Sequence, residues 1–291
     1  MNFPQYLDVG NQLGEGIVWD TRTQAALWTD IEAATFWQWQ PGSAPVSFAL
    51  TQRLGSFGLT PAAGVYIGAF EQGFAEFSPE AGTFRLLAPV TASDPNLRMN
   101  DGRVDRRGVF WAGSMAEGRG ADPGALWRYD GGAEAKRMLD GIRIPNSLCW
   151  SLDGRIMYFA DSPRNTIWRY AVDPVDGTMG EPEIFATTPP GVHPDGSCID
   201  AQDHLWNAQW GGGEVVRYRP DGSVERRISL PVSQPTCVAF GGPRLDNLLI
   251  TSARIELTQK QLQAEPLAGS LLIRAVGITG VAEAVCTSRL T

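Results

Sequence analysis

Short apolar stretches alternate along the whole chain with turns rich in glycine, proline and aspartate. Within stretches such as ATFWQWQ, GALWRYD and NTIWRYAV, aromatic and polar residues alternate, which is typical of half-buried β-strands. No long segment has the period of an amphipathic helix, and only TQKQLQA, residues 258–264, indicates a short helical turn. The pattern therefore predicts an all-β protein.

A repeat groups these strands into units. In each unit a polar or small residue is followed by an apolar strand, a turn and a second apolar strand. The six copies, in chain order, are LGEGIVWDTRTQAALWTD, LGSFGLTPAAGVYIGAF, RMNDGRVDRRGVFWAGSM, IPNSLCWSLDGRIMYFAD, HPDGSCIDAQDHLWNAQW and SQPTCVAFGGPRLDNLLITS. A third strand follows each copy, and a shorter fourth strand usually follows the third. Units of about 40–50 residues with four strands each predict a six-bladed β-propeller with four antiparallel strands per blade.

One blade cannot bury both of its faces alone, so the repeat predicts a single domain that spans residues 1–291. Closing the ring removes the exposed edges of the first and last sheets. We expect an N-terminal strand within PQYLDVG to pair with the last blade and to close the ring in this way.

Each unit opens on one position, here called its anchor, which is expected just before the first strand of the blade. The first strands of a propeller line the central channel. The pseudo-symmetry of the repeat therefore gathers the six anchors around one mouth of that channel. The anchors are Glu15, Gly55, Asn100, Asn146, Asp195 and Gln234.

Five of the six anchors carry side-chain oxygen atoms, and none is basic. Two carboxylates that converge in a partly buried site repel each other, and a divalent cation is the simplest compensation. Oxygen donors suit hard ions such as Ca²⁺, Mg²⁺ or Mn²⁺, and they also accept Zn²⁺ or Fe²⁺. We therefore expect Glu15, Asn146 and Asp195 to bind one divalent metal ion. The alternative is that these residues only cap strand ends, but turn chemistry does not require Glu15 or Asn146.

Composition and charge narrow the choice of partners. The 291-residue chain has a net charge of −8 and an isoelectric point near 4.9, and this argues against nucleic-acid binding. No apolar run is long enough to span a membrane, and MNFPQYLDVG lacks the features of a signal peptide. Nothing in the sequence indicates an oligomeric state. The cysteines form no C-x-x-C pair and are interpreted as buried thiols of a cytoplasmic protein: Cys149, Cys198, Cys237 and Cys286.

Four motifs resemble those of the regucalcin (senescence marker protein) and gluconolactonase family: LGEGIVWD, RMNDGRVDRRGVFWAGSM, IPNSLCWSLDG and PDGSCIDAQDHLW. They occur in the family's order, and the resemblance covers nearly the whole chain. It implies a six-bladed propeller with a divalent metal ion in its channel that hydrolyses sugar lactones to aldonic acids. Residue by residue, it implies metal ligands at Glu15, Asn146 and Asp195, and substrate contacts at Arg98 and Asn100.

One loop departs from the family pattern. Some relatives carry an acidic residue after the second strand of the third blade, where it reaches the sugar hydroxyls. The corresponding loop here is AEGRGADPG, residues 116–124, in which Glu117 or Asp122 could take that place. The preference among pentonic and hexonic lactones therefore stays open.

The chemistry of lactone hydrolysis assigns roles to the site residues. A cation polarises the carbonyl and stabilises the tetrahedral oxyanion. Asp195 can ligate through one oxygen and accept a proton from water through the other, so we expect it to be the general base. Asp101, in the R-x-N-D motif, is the competing candidate. Arg98 would hold the hydroxyls or ring oxygen of the sugar, and Asn100 would bind the substrate or a metal-bound water.

Two other functions fit the same fold. One is metal-dependent hydrolysis of aryl esters or organophosphates, whose propeller sites often use a histidine base; we expect His193, which lies near an anchor, at the rim of the site. The other is a non-enzymatic propeller that binds a protein or peptide on one face. Tryptophans that recur at strand positions are expected to pack between blades and not to form a sugar platform: Trp28, Trp111, Trp127, Trp168 and Trp206.

Overall fold

A computed structural model describes residues 3–91, 94, 96–117 and 123–288. Within them, 24 strands form six four-stranded antiparallel sheets, which confirms the predicted six-bladed β-propeller. From the innermost strand outward, blades 1 to 3 consist of β2 (Gly14–Asp20), β3 (Ala25–Asp30), β4 (Thr35–Trp39) and β5 (Val46–Ala49); β6 (Leu54–Leu59), β7 (Tyr66–Phe70), β8 (Gly73–Ser78) and β9 (Thr83–Pro89); and β10 (Leu97–Val104), β11 (Phe110–Ala116), β12 (Gly124–Tyr129) and β13 (Lys136–Ile142).

Blades 4 to 6 follow the same order, except that the outermost strand of blade 6 comes from the N-terminus. They consist of β14 (Pro145–Trp150), β15 (Ile156–Asp161), β16 (Thr166–Val172) and β17 (Met179–Thr187); β18 (His193–Ile199), β19 (Leu205–Trp210), β20 (Glu214–Tyr218) and β21 (Val224–Ser229); and β22 (Pro235–Gly241), β23 (Asn247–Ser252), β24 (Leu271–Ala275) and β1 (Tyr6–Leu7). A 3-10 turn at Ser162–Arg164 and the helix α1 (Gln259–Ala264) complete the described elements, and α1 confirms the helical turn expected in TQKQLQA.

The ring is closed both at its centre and at its edge. The first strands contact one another in cyclic order, from β2 through β6, β10, β14, β18 and β22 back to β2. At the edge, β1 pairs antiparallel with β24, where Tyr6 faces Leu272 and Leu7 faces Leu271. The N-terminal strand therefore closes the ring, as the sequence predicts.

The hydrophobic core is divided into clusters that lie between neighbouring blades. Each of the six blade pairs shares one such cluster, so every blade buries its faces against two others. Trp28, Trp111 and Trp206 are fully buried in these clusters, and Trp127 and Trp168 pack against them, which confirms their expected role between blades. The four cysteines are buried free thiols, as expected.

Each first strand changes its pairing register near its N-terminal end. The shifts lie between Glu15 and Val18, Leu54 and Ser56, Met99 and Gly102, Asn146 and Cys149, Pro194 and Ser197, and Pro235 and Val238. Such bulges re-aim the neighbouring side chains. In blades 1 and 4 the residue after the anchor has a left-handed backbone, with φ of 60° at Gly16 and 63° at Ser147.

The position of the anchors relative to the strands differs from the expectation. Only Gln234 precedes its first strand, whereas the other five anchors lie within theirs. The strands begin earlier than expected because residues on the N-terminal side of each register shift still pair with the second strand, as Glu15 does with Thr29. The bulge, and not the strand end, therefore presents these side chains to the channel.

The C-terminal segment, residues 279–288, crosses the end of the channel opposite the anchors, and we call it the strap. The amides of Gly280, Cys286 and Thr287 donate to backbone carbonyls of blades 6, 2 and 3. Glu283 accepts a hydrogen bond from Arg103 at 3.0 Å, and their side chains are 15% and 13% exposed. The strap thus ties several blades together across the channel and supplies the partner of a largely buried arginine.

Replacing Glu283 with alanine is expected to lower the free energy of unfolding by about 3 kcal/mol, because the Arg103 guanidinium then loses its partner in a largely buried position. Chemical denaturation followed by tryptophan fluorescence measures the change. As a control, Asp140→Ala breaks the pair with Arg137, whose side chains are 53% (Arg137) and 73% (Asp140) exposed. It should change stability by less than about 0.5 kcal/mol. Equal losses in the two variants would show that the strap pair adds no special stability.

Candidate active site

Four of the six anchors line one cavity of about 410 Å³ at the N-terminal ends of the first strands. Glu15, Asn100, Asn146 and Asp195 lie there together with Arg98, and each of the five is at most 7% exposed. The structure therefore brings together residues that are far apart in the sequence, as the pseudo-symmetry predicts for these four anchors.

Gly55 and Gln234 do not line this cavity. A side chain at Gly55 would meet the backbone oxygen of Asn100 at 2.6 Å, so the glycine lets blades 2 and 3 approach closely. Gln234 is buried, and its Oε1 has no hydrogen-bond partner among the described residues. The polar groups of the cavity floor thus come from blades 1, 3, 4 and 5.

Two carboxyl groups lie on this floor in an environment that opposes their ionisation. Burial raises the pKa of Glu15 to about 8, and the charge of Asp101 adds to the shift. Burial also raises the pKa of Asp195 well above its usual range, with further contributions from the charges of Glu15 and Asp101. A hydrogen bond between the two carboxyl groups lowers the pKa of Glu15 and raises that of Asp195, while Asp195 Oδ1 is buried and has no hydrogen-bond partner in the part of the chain that the structure describes. A bound cation would allow both groups to ionise and would give this oxygen a partner.

The third candidate ligand, Asn146, is held through both halves of its amide. Its Nδ2 donates to Ser162 Oγ at 2.8 Å, and its Oδ1 accepts from Asn100 Nδ2 at 3.2 Å. Across the described residues, no three His, Cys, Asp or Glu side chains form a metal site of their own. The amide oxygen of Asn146 would supply a third oxygen donor to a hard cation held by Glu15 and Asp195.

Arg98 lies at the edge of the cavity within a charged network. Its Nη1 donates to Asn100 Oδ1 at 2.7 Å, and its Nε donates to Glu117 Oε1 at 2.9 Å. Arg53 donates to both oxygens of Glu117, at 2.8 and 2.7 Å, and to Glu71 at 2.7 Å. Burial opposes the ionisation of Glu117, but the hydrogen bonds and charges of the two arginines lower its pKa. The network thus holds Arg98 in one orientation.

The acidic residue expected to reach the sugar hydroxyls is either Glu117 or Asp122. Glu117 does not line the cavity, and both of its carboxylate oxygens accept hydrogen bonds from Arg53 or Arg98. Asp122 lies outside the described residues. In this structure Glu117 acts on the cavity through Arg98.

Asp101, the competing candidate for the general base, does not line the cavity either. Its Oδ1 accepts from the Gly102 amide and its Oδ2 from the Leu148 amide, each at 2.9 Å. Burial raises its pKa although both amides act in the opposite direction. Asp101 therefore ties blade 3 to blade 4 and acts on the floor carboxyls only through its charge.

The walls of the cavity contain residues that sequence reasoning did not find. Trp210 and Ile255 pack against a small cluster that includes Leu13, and these three form an apolar wall. Glu32 and Glu256 are exposed at the mouth. Most of these residues lie in connecting segments, where the six copies of the repeat cannot be aligned with one another and so do not predict equivalent positions. The glycine run that follows Trp210 was a loop signal that could have drawn attention to it.

His193 also lines the cavity, where its Nδ1 lies 3.1 Å from the carbonyl oxygen of Ser162. The imidazole is half-buried, and among the described residues its ring makes no hydrogen bond to Glu15 or Asp195. This position agrees with the expected place at the rim.

Fold and cavity together define a six-bladed β-propeller with a buried pocket of oxygen donors at one end of its channel. The profile of the SMP-30/gluconolactonase/LRE-like region matches residues 13–254. The chain belongs to this family, which confirms the resemblance carried by its motifs. L-arabinolactonase of Azospirillum brasilense is 37% identical over 284 residues, which cover 95% of this chain and 93% of that protein. 6-Deoxy-6-sulfogluconolactonase of Pseudomonas putida is 36% identical over 274 residues, which cover 93% of this chain and 94% of that protein.

A solved structure extends the comparison to the whole fold. The calcium-binding protein regucalcin from Agrobacterium tumefaciens superposes with a TM-score of 0.92 at 30% sequence identity, covering 98% of this chain and 97% of that chain. In the described part of the present chain, no helix is long and apolar enough to cross a membrane.

Proposed function

We propose that this protein hydrolyses a sugar lactone to the aldonic acid with the help of a divalent cation in its channel. The observation that carries the proposal is the buried, unpartnered Oδ1 of Asp195 beside Glu15 and Asn146, in a cavity of about 410 Å³. Its size is in the range of small-molecule sites. Two relatives that align over nearly the whole chain are named for lactone substrates, which supports the same reaction class here.

Glu15, Asn146 and Asp195 are the residues that would hold the cation. Their donor atoms are all oxygens, two of them belong to carboxyls with raised pKa, and one oxygen lacks a partner, so the set fits a hard ion. The calcium-binding neighbour supports Ca²⁺ as one candidate besides Mn²⁺, Mg²⁺, Zn²⁺ and Fe²⁺. A bound cation would supply Lewis acidity that polarises the lactone carbonyl.

Asp195 is the general base in this proposal. It removes a proton from a water molecule whose oxygen forms the new bond to the carbonyl carbon, and the bond from that carbon to the ring oxygen then breaks. Asp195 returns the proton to the departing ring oxygen, so that water is added across the ester bond. Asp195 is favoured over Asp101 because it lines the cavity, whereas backbone amides occupy both oxygens of Asp101.

The remaining cavity residues bind and orient the sugar. Arg98 presents a fixed positive charge to the sugar hydroxyls or ring oxygen, and Asn100 lines the floor between Arg98 and Asn146. Trp210 and Ile255 offer an apolar surface to the C–H face of the sugar ring.

A substrate panel combined with cation titration tests the proposal. We expect cation-dependent hydrolysis of pentono- or hexonolactones that is faster than hydrolysis of aryl esters or organophosphates. In calorimetric titration with Mn²⁺ or Ca²⁺, Glu15→Ala should weaken binding about 100-fold or more, because a charged ligand is lost. The exposed Glu181→Ala serves as a matched control and should bind like the wild type.

The same measurements separate the rival functions. Aryl esters that react faster than every lactone would favour the aryl-ester or organophosphate hydrolase. A protein that binds no divalent cation and hydrolyses no ester would instead favour a propeller that serves as a binding scaffold.

A further inference from the structure

A continuous series of hydrogen bonds runs along the cavity floor from blade 3 to blade 5. Its first member, Arg98, determines which group donates and which accepts at each following bond. The Arg98 guanidinium can only donate, and its Nη1 lies 2.7 Å from Asn100 Oδ1. The Asn100 amide therefore turns its NH₂ group the other way, where it donates to the carbonyl of Pro145 at 3.0 Å and to Asn146 Oδ1 at 3.2 Å.

At the other end of this hydrogen-bond series, Ser162 independently determines the same donor and acceptor roles. The Ser162 hydroxyl donates to the carbonyl oxygen of Pro194 at 2.7 Å, and a carbonyl can only accept. With its single proton committed, Ser162 Oγ must accept the bond from Asn146 Nδ2, which lies at 2.8 Å. Asn146 is thus set from both sides, with its NH₂ toward Ser162 and its oxygen toward the NH₂ of Asn100.

The opposite orientation of the Asn146 amide is excluded at both contacts. Its NH₂ would face the NH₂ of Asn100, and its oxygen would face a Ser162 hydroxyl whose proton is already used. It would also put an NH₂ group, which cannot ligate a cation, in place of the oxygen donor that the proposed site would require.

We propose that Ser162 is a positioning residue that keeps the amide oxygen of Asn146 directed at the cation. This inference rests on the proposed cation site and adds a residue to it that lies outside the anchors. Ser162 is 5% exposed, lines the cavity and begins the 3-10 turn Ser162–Arg164 that follows β15. Its hydroxyl links blade 4 to the residue directly before Asp195, so it connects the two ligands of neighbouring blades.

Calorimetric titration with Mn²⁺ tests the inference in four proteins: the wild type, Ser162→Ala, Asn146→Asp and the double variant. Ser162→Ala should weaken Mn²⁺ binding about tenfold, as the loss of a group that orients a metal ligand does. Asn146→Asp presents acceptor oxygens on both sides, so orientation no longer matters. In that background Ser162→Ala should change the affinity by less than about threefold.

Ser151→Ala is a matched control on the same blade. The Ser151 hydroxyl is also buried, donates to Asp153 at 2.7 Å and accepts from the Ile156 amide at 3.0 Å, but it lies away from the cavity. Its removal should leave Mn²⁺ affinity within about threefold of the wild type. Ser162→Cys replaces the hydroxyl with a slightly larger thiol, which is only a weak acceptor, and should repeat the tenfold loss if the alanine variant does not fold.

The outcomes distinguish the inference from the proposed function. If wild-type protein binds Mn²⁺ and Ser162→Ala binds it equally well, the inference fails and the proposed cation site stands. An equal tenfold loss in both backgrounds would mean that Ser162 acts by general support of the fold, and this also overturns the inference. If the wild type binds no Mn²⁺, the cation site and the inference fall together.

Discussion

Asp195→Asn at saturating divalent cation is expected to lower kcat for the preferred sugar lactone by about 10²- to 10⁴-fold, the usual contribution of a general base. Asparagine keeps an oxygen that can ligate a cation but cannot take a proton from water. Comparing the wild type with Asp195→Asn at saturating cation therefore measures the loss of proton transfer without a contribution from weaker cation binding. Steady-state kinetics followed by acid release measures the effect.

Asp101→Asn provides the internal comparison, because Asp101 is the other carboxyl that could act as the base. Its oxygens accept from the Gly102 and Leu148 amides and do not line the cavity, so we expect a much smaller loss of kcat than for Asp195→Asn. A variant of Asp195 that retains more than about a tenth of the wild-type rate would exclude Asp195 as the base. A larger loss at Asp101 would transfer the role to that residue.

In cation-free protein, the free energy of unfolding is expected to fall by on the order of 4 kcal/mol as the pH rises from about 5 to about 8. Burial raises the pKa of Glu15 from 4.5 to about 8 in the folded state. At a pH between the unfolded and the folded pKa of Glu15, the folded protein keeps a proton that the unfolded chain releases, so raising the pH favours unfolding. The stabilisation by protonated Glu15 is fully present below the pKa of the unfolded state and is lost as the pH rises through the pKa of the folded state. Asp195 and Asp101 shift in the same direction and reinforce the trend.

Denaturant unfolding in the presence of a chelator, repeated with saturating Mn²⁺, measures this dependence. The cation should restore stability most at the higher pH, because it binds the ionised carboxylates. Glu15→Gln is the matched control: without cation it should lose much of the pH slope and be more stable than the wild type near pH 8. Equal slopes for the wild type and Glu15→Gln would show that the buried Glu15 does not titrate as proposed.

The fold was predictable because a propeller repeats one local pattern and each blade contacts mainly its neighbours. Six copies of the strand pattern correctly predicted six sheets, and the N-terminal strand was correctly expected to close the ring. The same repeat located four residues that share one cavity although they lie far apart in the chain: Glu15, Asn100, Asn146 and Asp195. Equivalent positions in a symmetric ring converge on the channel, so sequence spacing was enough for these four, although the anchors Gly55 and Gln234 do not line the cavity.

The sequence by itself determined the number of blades, their order and the oxygen chemistry of the channel mouth, because these follow from composition and period. Only the tertiary structure decided which neighbouring carboxyl faces the cavity: Asp195 lines it, while Asp101 is held by backbone amides. It also added Ser162, Trp210 and the strap, all of which come from outside the first strands. The direction of a side chain at a bulge and the path of a connecting segment depend on contacts between distant parts of the chain. A local pattern of apolar and polar residues does not contain that information.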